Sequence, residues 1–287
     1  MASVGPLGIT AETRTVTEGS GQPIVVARFP AATTAVHLHV GSSDPPGALS
    51  LAPSDASNAV SGTSDEASLL VAAFNGGFKA NAAAGGVEID GRVVSTLLNG
   101  AASAVIDSDG TVHLGIWGHS FPAPGEQVIA VRQNLQLLVE GGAPTAAAAN
   151  EPIWGAVLGP NPIVARSALG TDAAGDVYFA GSMGTLPIDL ANALVSAGAT
   201  TGMQLDINPF WVTLGIASTP GGTLVGQVPG ATHDPSIYLQ GWERDFFTVL
   251  ARPRPGCQLV FPTAAGVAAA DPPSIRCGPV HKGLVVP

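Results

Sequence analysis

The chain has 287 residues, a length that accommodates one large domain or two small ones and buries enough apolar surface to need no covalent staple. Hydrophobic residues make up 46% and charged residues 11%, with 37 Gly and 24 Pro, which excludes a disordered chain and suits a turn-rich, largely β protein. A net charge of −10 argues against nucleic-acid or anionic-membrane partners, and no apolar run approaches the roughly 18 to 20 residues of a membrane span.

The N-terminus, MASVGPLGIT, lacks the basic and apolar regions of a secretory signal. Residues 1–60 carry apolar segments at Ile24 to Arg28 and Ala35 to Val40. In the second, Val36, Leu38 and Val40 alternate with His37 and His39, the period of a strand. Leu69 to Phe74 is continuously apolar, which predicts a strand buried on both faces, and it ends in Asn75-Gly76-Gly77. Two glycines there permit close approach of backbone to a ligand. Turn signals follow at Asp90-Gly91, Asn99-Gly100 and Asp109-Gly110. The last separates Ala104-Val105-Ile106 from Val112 to Trp117, a hairpin pattern. Gln127 to Arg132 reads as another strand, and Ala-rich Gly141 to Asn150, with Pro144, as a surface loop.

A helix is expected from Pro187 to Ala197, with Thr185 as its cap, Leu190, Leu194 and Ala197 on one apolar face, and Gly198 as its stop. Met203 to Ile207 then predicts a strand that points Gln204, Asp206 and Asn208 to one face. Beyond Arg252 the chain is Pro-rich. The expected organisation is a domain over 1–250, with N-terminal strands in 1–60 and a motif-bearing core in 65–250, and a tail over 251–287. Cys257 and Cys277 both lie in that tail, either as a disulfide or as two buried thiols. A bridge closing about 20 residues would contribute roughly 3 kcal/mol in the chain-entropy model. The fold class is α+β: twisted mixed or mostly antiparallel sheets with one or two packed helices and a site at strand ends.

Four segments in order resemble the phosphodiester glycosidase family: Phe74-Asn75-Gly76-Gly77-Phe78-Lys79, Val131-Arg132-Gln133-Asn134-Leu135, Arg166-Ser167-Ala168-Leu169-Gly170 and Gln204-Leu205-Asp206-Ile207-Asn208-Pro209. The similarity covers about residues 65–250. In the fourth segment the family's glycine and serine run after the aspartate is replaced by Ile207-Asn208-Pro209-Phe210-Trp211, which looks like a bacterial sub-branch. The resemblance implies hydrolysis of a glycosyl-1-phosphodiester in an envelope glycopolymer or glycolipid, by a secreted or envelope-attached protein whose signal or anchor lies outside these residues. It also implies catalytic roles for Asp206, Asn75 and Arg166. Substrate contacts are expected from Gly76, Gly77, Lys79, Gln133, Asn134 and Asn208.

The chemistry fits those residue types. A guanidinium grips two phosphate oxygens at once, so Arg166 is the expected phosphate ligand, and Lys79, one of two lysines, a second cation. The N–H groups of Gly76 and Gly77 offer an anion nest. Asp206 is the acid/base or stabiliser of the sugar cation, with Asp90 and Glu140 as candidates for the second carboxylate that glycosidases usually employ. Each residue also has a structural reading: a tight turn at Asn75, an ion pair at Arg166, a strand-end cap at Asp206. His37 and His39 share a strand face as two metal ligands would, but no third ligand is evident, and no metal or other cofactor is assigned. His119 and His233-Asp234 read as loop residues, and Trp117, Trp154, Trp211 and Trp242 as sugar-stacking or core groups. Two alternatives remain: a glycosidase acting on a polysaccharide without phosphate, and a carbohydrate-binding or structural protein that kept the fold and lost catalysis.

Overall fold

The computed structural model describes residues 2–4, 7–14, 22–46, 58–82, 84–89, 91–122, 128–157, 160–261 and 273–277. Asp90 and Gln127 lie outside them. Strands β1 (Ala2–Val4), β2 (Ile9–Arg14), β3 (Ile24–Phe29) and β4 (Thr34–His39) precede helix α1 (Asp65–Leu69) and β5 (Leu70–Asn75). Next come β6 (Val87–Ile89), β7 (Arg92–Ser95), β8 (Ala102–Asp107), β9 (Val112–Ile116), β10 (Val128–Gln133), β11 (Leu137–Glu140) and β12 (Ala143–Pro144). The rest of the chain supplies β13 (Val164–Thr171), β14 (Val177–Thr185), α2 (Pro187–Ala197), β15 (Thr201–Gln204), β16 (Leu214–Ile216) and β17 (Val225–Gly226). Helix α3 (Ile237–Gln240), β18 (Phe246–Ala251), β19 (Cys257–Val260) and β20 (Ser274–Cys277) complete it.

These strands make three main sheets. The largest runs β1-β2-β3-β14-β13-β15-β11-β12, a second β17-β16-β5-β18-β4 and a third β7-β6-β10-β8-β9. The protein is α+β with mostly antiparallel sheets, and each ladder between these strands is antiparallel. The first two sheets meet face to face across an aromatic seam. Phe74 of β5 stacks on Phe247 of β18 with centroids 5.3 Å apart and reaches Phe179 of β14 at 5.1 Å. The other face of the large sheet is covered by α2, which buries Leu190 and Leu194 against it.

Several local expectations hold for physical reasons visible in the contacts. β5 is central in its sheet, between β16 and β18, so it is buried on both faces. Gly110 turns the β8–β9 hairpin at φ +78°, and a Cβ there would meet Phe261 and Ala35 at 2.7 Å. Gly198 ends α2 in the left-handed region at φ +119°. Others are corrected. Leu186, not Thr185, occupies the N-cap of α2; the Thr185 hydroxyl donates to the Leu186 carbonyl, one residue too early to reach the helix N–H groups. The segment from Gly141 to Asn150 is not a plain surface loop. It holds β12 and a 3-10 turn over Ala146–Ala149, with Ala148 buried and Ala147 accepting from the Trp154 indole. Trp154 itself is core.

The C-terminal residues fasten to the main body. Arg252 donates to Ala31 and Asp109 carbonyls, and Phe261 is buried beside His37. Cys257 and Cys277 are joined by a disulfide across the β19–β20 hairpin.

Candidate active site

Three buried chain passages converge at one end of the two packed sheets: the turn after β5, the exit of β15 and the residues before β18. The exit of β15 carries Asp206. The ladder stops at Gln204, and the predicted alternation stops with it. Gln204 turns towards α2, where its amide bonds Trp154 and Arg166. Asp206 turns away, into the angle between the sheets. Its Oδ1 accepts the N–H groups of Ile207 and Asn208 at 2.7 and 2.8 Å, and Oδ2 lies 3.3 Å from Arg244 Nη2. One oxygen therefore caps the turn and the other addresses a cation. Burial pushes the Asp206 carboxyl up to about 6, against the opposing pull of Arg244 and the two backbone N–H groups; the residue is 4% exposed.

Arg244 was not singled out by its sequence context, yet it organises the site. Its Nη2 donates to the Gly77 carbonyl at 2.8 Å, its Nε faces Asp44 Oδ2 at 3.4 Å, and its guanidinium lies 5.0 Å from the Trp211 ring. Nη1 makes no hydrogen bond among the described residues. Asp44 is held by the Ala80 N–H, and burial keeps its carboxyl above the usual range although Arg244 and that N–H bond oppose it. A cavity of about 610 Å³ opens over this group, lined among others by Asp206, Arg244, Lys79, Asn81, Asn208 and Trp211. Lys79 Nζ stands 5.7 Å from the Trp211 ring, so that indole has two cations within cation–π reach. Trp211 continues into Trp242 and His233, edge to face at 5.6 and 5.0 Å. An apolar cavity of about 520 Å³, lined by Met183, Pro209 and Phe210, shares Ile207, Asn208 and Ala156 with the first.

The expected site residues divide into two groups. Asp206, Lys79 and Asn208 line the cavity together. The others build its frame. Asn75 donates to Gly76 and to Ser167 Oγ and accepts from Thr213, which ties three passages together. The anion nest of Gly76 and Gly77 is filled by the protein itself: Gly76 N–H bonds the Asp245 carbonyl and Gly77 N–H its carboxylate. Both glycines are needed for closeness, since a Cβ on Gly76 would stand 1.9 Å from Asp245 Oδ2. Gln133 uses its amide on Gly86, Leu98 and Ser103, and Asn134 on Phe78, Gln204 and Leu205, so neither offers a group to substrate. Glu140 is exposed on β11 and does not line the cavity.

Arg166 requires the largest correction. It is 0% exposed on the α2 side of β13, ion-paired to Glu151 at 2.9 Å. Its further bonds go to Thr185, Trp154, Gln204 and Pro162, so all three guanidinium nitrogens are engaged within the protein. Side chains alternate along a strand, and it is the next residue, Ser167, that faces Asn75 and Asp206. Arg132 is also internal, bonded through Nε and Nη2 to Asp245 at 2.7 and 3.2 Å.

A separate cluster lies on the outer face of β4. His37 Nδ1, His39 Nε2 and Glu66 Oε1 stand 2.8 to 3.1 Å from one another, all three side chains buried. The third group that the spacing of the histidines did not reveal comes from α1. Burial alone would raise the Glu66 carboxyl; the His39 and His37 imidazoles beside it hold it below the usual carboxylate range. His119 is exposed, and Asp234 caps the turn at Ser236.

No family model and no curated protein sequence matches the chain. Among solved structures it is similar to the catalytic domain of zebrafish N-acetylglucosamine-1-phosphodiester alpha-N-acetylglucosaminidase, auto-inhibited by its pro-peptide in that structure. The TM-score is 0.56 at 18% identity, over 88% of this chain and 86% of that one. A hypothetical protein from Synechocystis aligns at a TM-score of 0.46 and 12% identity, over 85% of this chain and 62% of that one. The protein thus shares the fold of the zebrafish domain.

Proposed function

We propose that the protein hydrolyses a glycosyl-1-phosphodiester in an envelope glycopolymer or glycolipid, as a secreted or envelope-attached member of a bacterial sub-branch of the phosphodiester glycosidases. The observation that carries the reading is a buried carboxyl raised to about 6 that shares a cavity with two cations, Arg244 and Lys79. The substrate's phosphate lies against those cations. Arg244 takes the role assigned to Arg166 from sequence, because its Nη1 has no other bond and Arg166 has no free nitrogen. The sugar stacks on Trp211, and the adjoining apolar cavity receives a lipid or other apolar aglycone. In the reaction the C1–O bond breaks with its electron pair passing to the phosphate oxygen, while water adds to C1 and gives its proton to Asp206. A phosphate monoester anion is a good leaving group and needs no proton, so the carboxylate is spent on the water. A raised pKa makes Asp206 a stronger base than an ordinary aspartate.

A second reading has its own support. Asp206 is the sole carboxylate among the described residues that line the cavity, whereas glycosidases usually employ a pair. A carbohydrate-binding protein on the same fold would show the same aromatic wall and cations. Hydrolysis of chromogenic sugar-1-phosphodiesters beside the matching simple glycosides separates these cases. The proposal expects turnover of the phosphodiesters alone, lost in Arg244→Ala. Cleavage of simple glycosides at equal rates would replace it with ordinary glycosidase chemistry, and sugar binding without turnover would favour the second reading.

A further inference from the structure

The cluster at His37, His39 and Glu66 belongs to no part of the cavity just described, and it brings three buried ligand atoms within 3.1 Å of one another. We infer that these three side chains form a binding site for a divalent transition ion of zinc's class, structural in its effect. Two imidazole nitrogens and one carboxylate oxygen lie together, with separations of 3.1, 3.1 and 2.8 Å. Three donors about 3 Å apart all reach one ion at the roughly 2.0 to 2.1 Å of a zinc–nitrogen or zinc–oxygen bond without moving.

Hydrogen bonds alone leave the cluster unbalanced. Glu66 Oε1 faces His37, His39 and the Thr248 hydroxyl together, the last at 2.8 Å. Its twin, Oε2, is buried with no hydrogen-bond partner. The two imidazole nitrogens also face each other, which disfavours a proton on both. A cation at the centre removes each difficulty: both nitrogens become ligands, and the carboxylate can present Oε2 as well, giving the four donors of a closed site. The donor set, imidazole with carboxylate, suits zinc and its first-row neighbours better than magnesium or calcium.

Burial decides the role. His39 stacks on Phe246 at 4.5 Å, and His37 is covered by Phe261 at 5.6 Å, so the centre is closed to a substrate. Glu66 comes from α1 and the histidines from β4, while Phe261 leads to the disulfide-bonded hairpin. A bound ion therefore pins α1 and the C-terminal hairpin to the sheet whose strand β18 begins just after Arg244 and Asp245.

The test uses the full chain without a histidine tag, stripped by chelator and dialysed against zinc chloride. The expected result is one zinc per chain by elemental analysis and a rise in Tm of about 4 °C at a hundredfold excess over Kd. Glu66→Gln should lower the affinity by at least about 100-fold while its retained shape preserves the fold. If that variant does not fold, His37→Gln, nearer the surface, serves in its place, and the wild-type stoichiometry decides regardless. Zinc well below one per chain at saturation, or equal binding by the Glu66→Gln or His37→Gln chain, would overturn the site.

Discussion

Replacing Asp206 by Asn tests the central residue through stability as well as turnover. Asn keeps the oxygen that accepts from Ile207 and Asn208, so the turn survives, and it cannot ionise. In the wild type the carboxyl rises from 3.8 to about 6 on folding, chiefly by burial. A carboxyl with a raised folded-state pKa holds its proton more tightly in the folded protein. Its contribution to stability is therefore complete below about pH 4 and is lost as pH rises through about 6, a change of about 3 kcal/mol. The variant lacks that loss. Its amide meets Arg244 as donor against donor, a cost independent of pH that shifts the curve without bending it. Urea unfolding from pH 4 to 8, followed by tryptophan fluorescence, should show the variant gaining about 2 kcal/mol on the wild type across the range, the first part of the loss lying below pH 4. Asp44→Asn in both backgrounds corrects for coupling through Arg244. Turnover should fall by about 10² to 10⁴, and wild-type kcat/KM should rise with pH through about 6 as the base ionises. Parallel stability curves would mean that Asp206 titrates as an ordinary aspartate, and the base assignment would fall with them.

Arg166→Ala removes the buried partner of a half-buried ion pair and strips bonds from Trp154, Gln204 and Thr185; a loss of about 3 kcal/mol is expected in urea unfolding, with phosphodiester and neutral substrates affected alike. A selective loss on phosphodiesters would restore Arg166 as a phosphate ligand. Gly76→Ala places a methyl group against Asp245 and should cost at least about 1 to 3 kcal/mol, read as a lowered Tm; an unchanged Tm would contradict the close approach.

Much of the fold was legible locally. The apolar run of β5, the hairpin at Asp109-Gly110 and the α2 segment closed by Gly198 each rest on periodicity and turn chemistry that operate within a dozen residues. The sequence singled out Asp206 by a strand alternation that the structure does not keep, since Gln204 turns away while Asp206 lines the cavity. Its partners were not legible. Arg244 and Asp245 stand before the buried run of β18 much as Asn75 stands after that of β5, a parallel that only strand pairing gives meaning.

Side-chain direction was equally hidden. β13 is buried on both faces, so nothing in its composition says that Arg166 faces the helix and Ser167 faces Asn75 and Asp206; one residue of register decides it. The third member of the histidine cluster comes from a helix that meets β4 only in the tertiary fold. By itself the sequence determined strands β4, β5, β8, β9 and β10, the turn at Gly110 and the helix closed by Gly198, because those preferences are local. Tertiary structure decided which cation faces Asp206, which guanidinium is consumed by the scaffold and how far burial lifts a carboxyl, because charge and desolvation depend on neighbours that meet only when the sheets close.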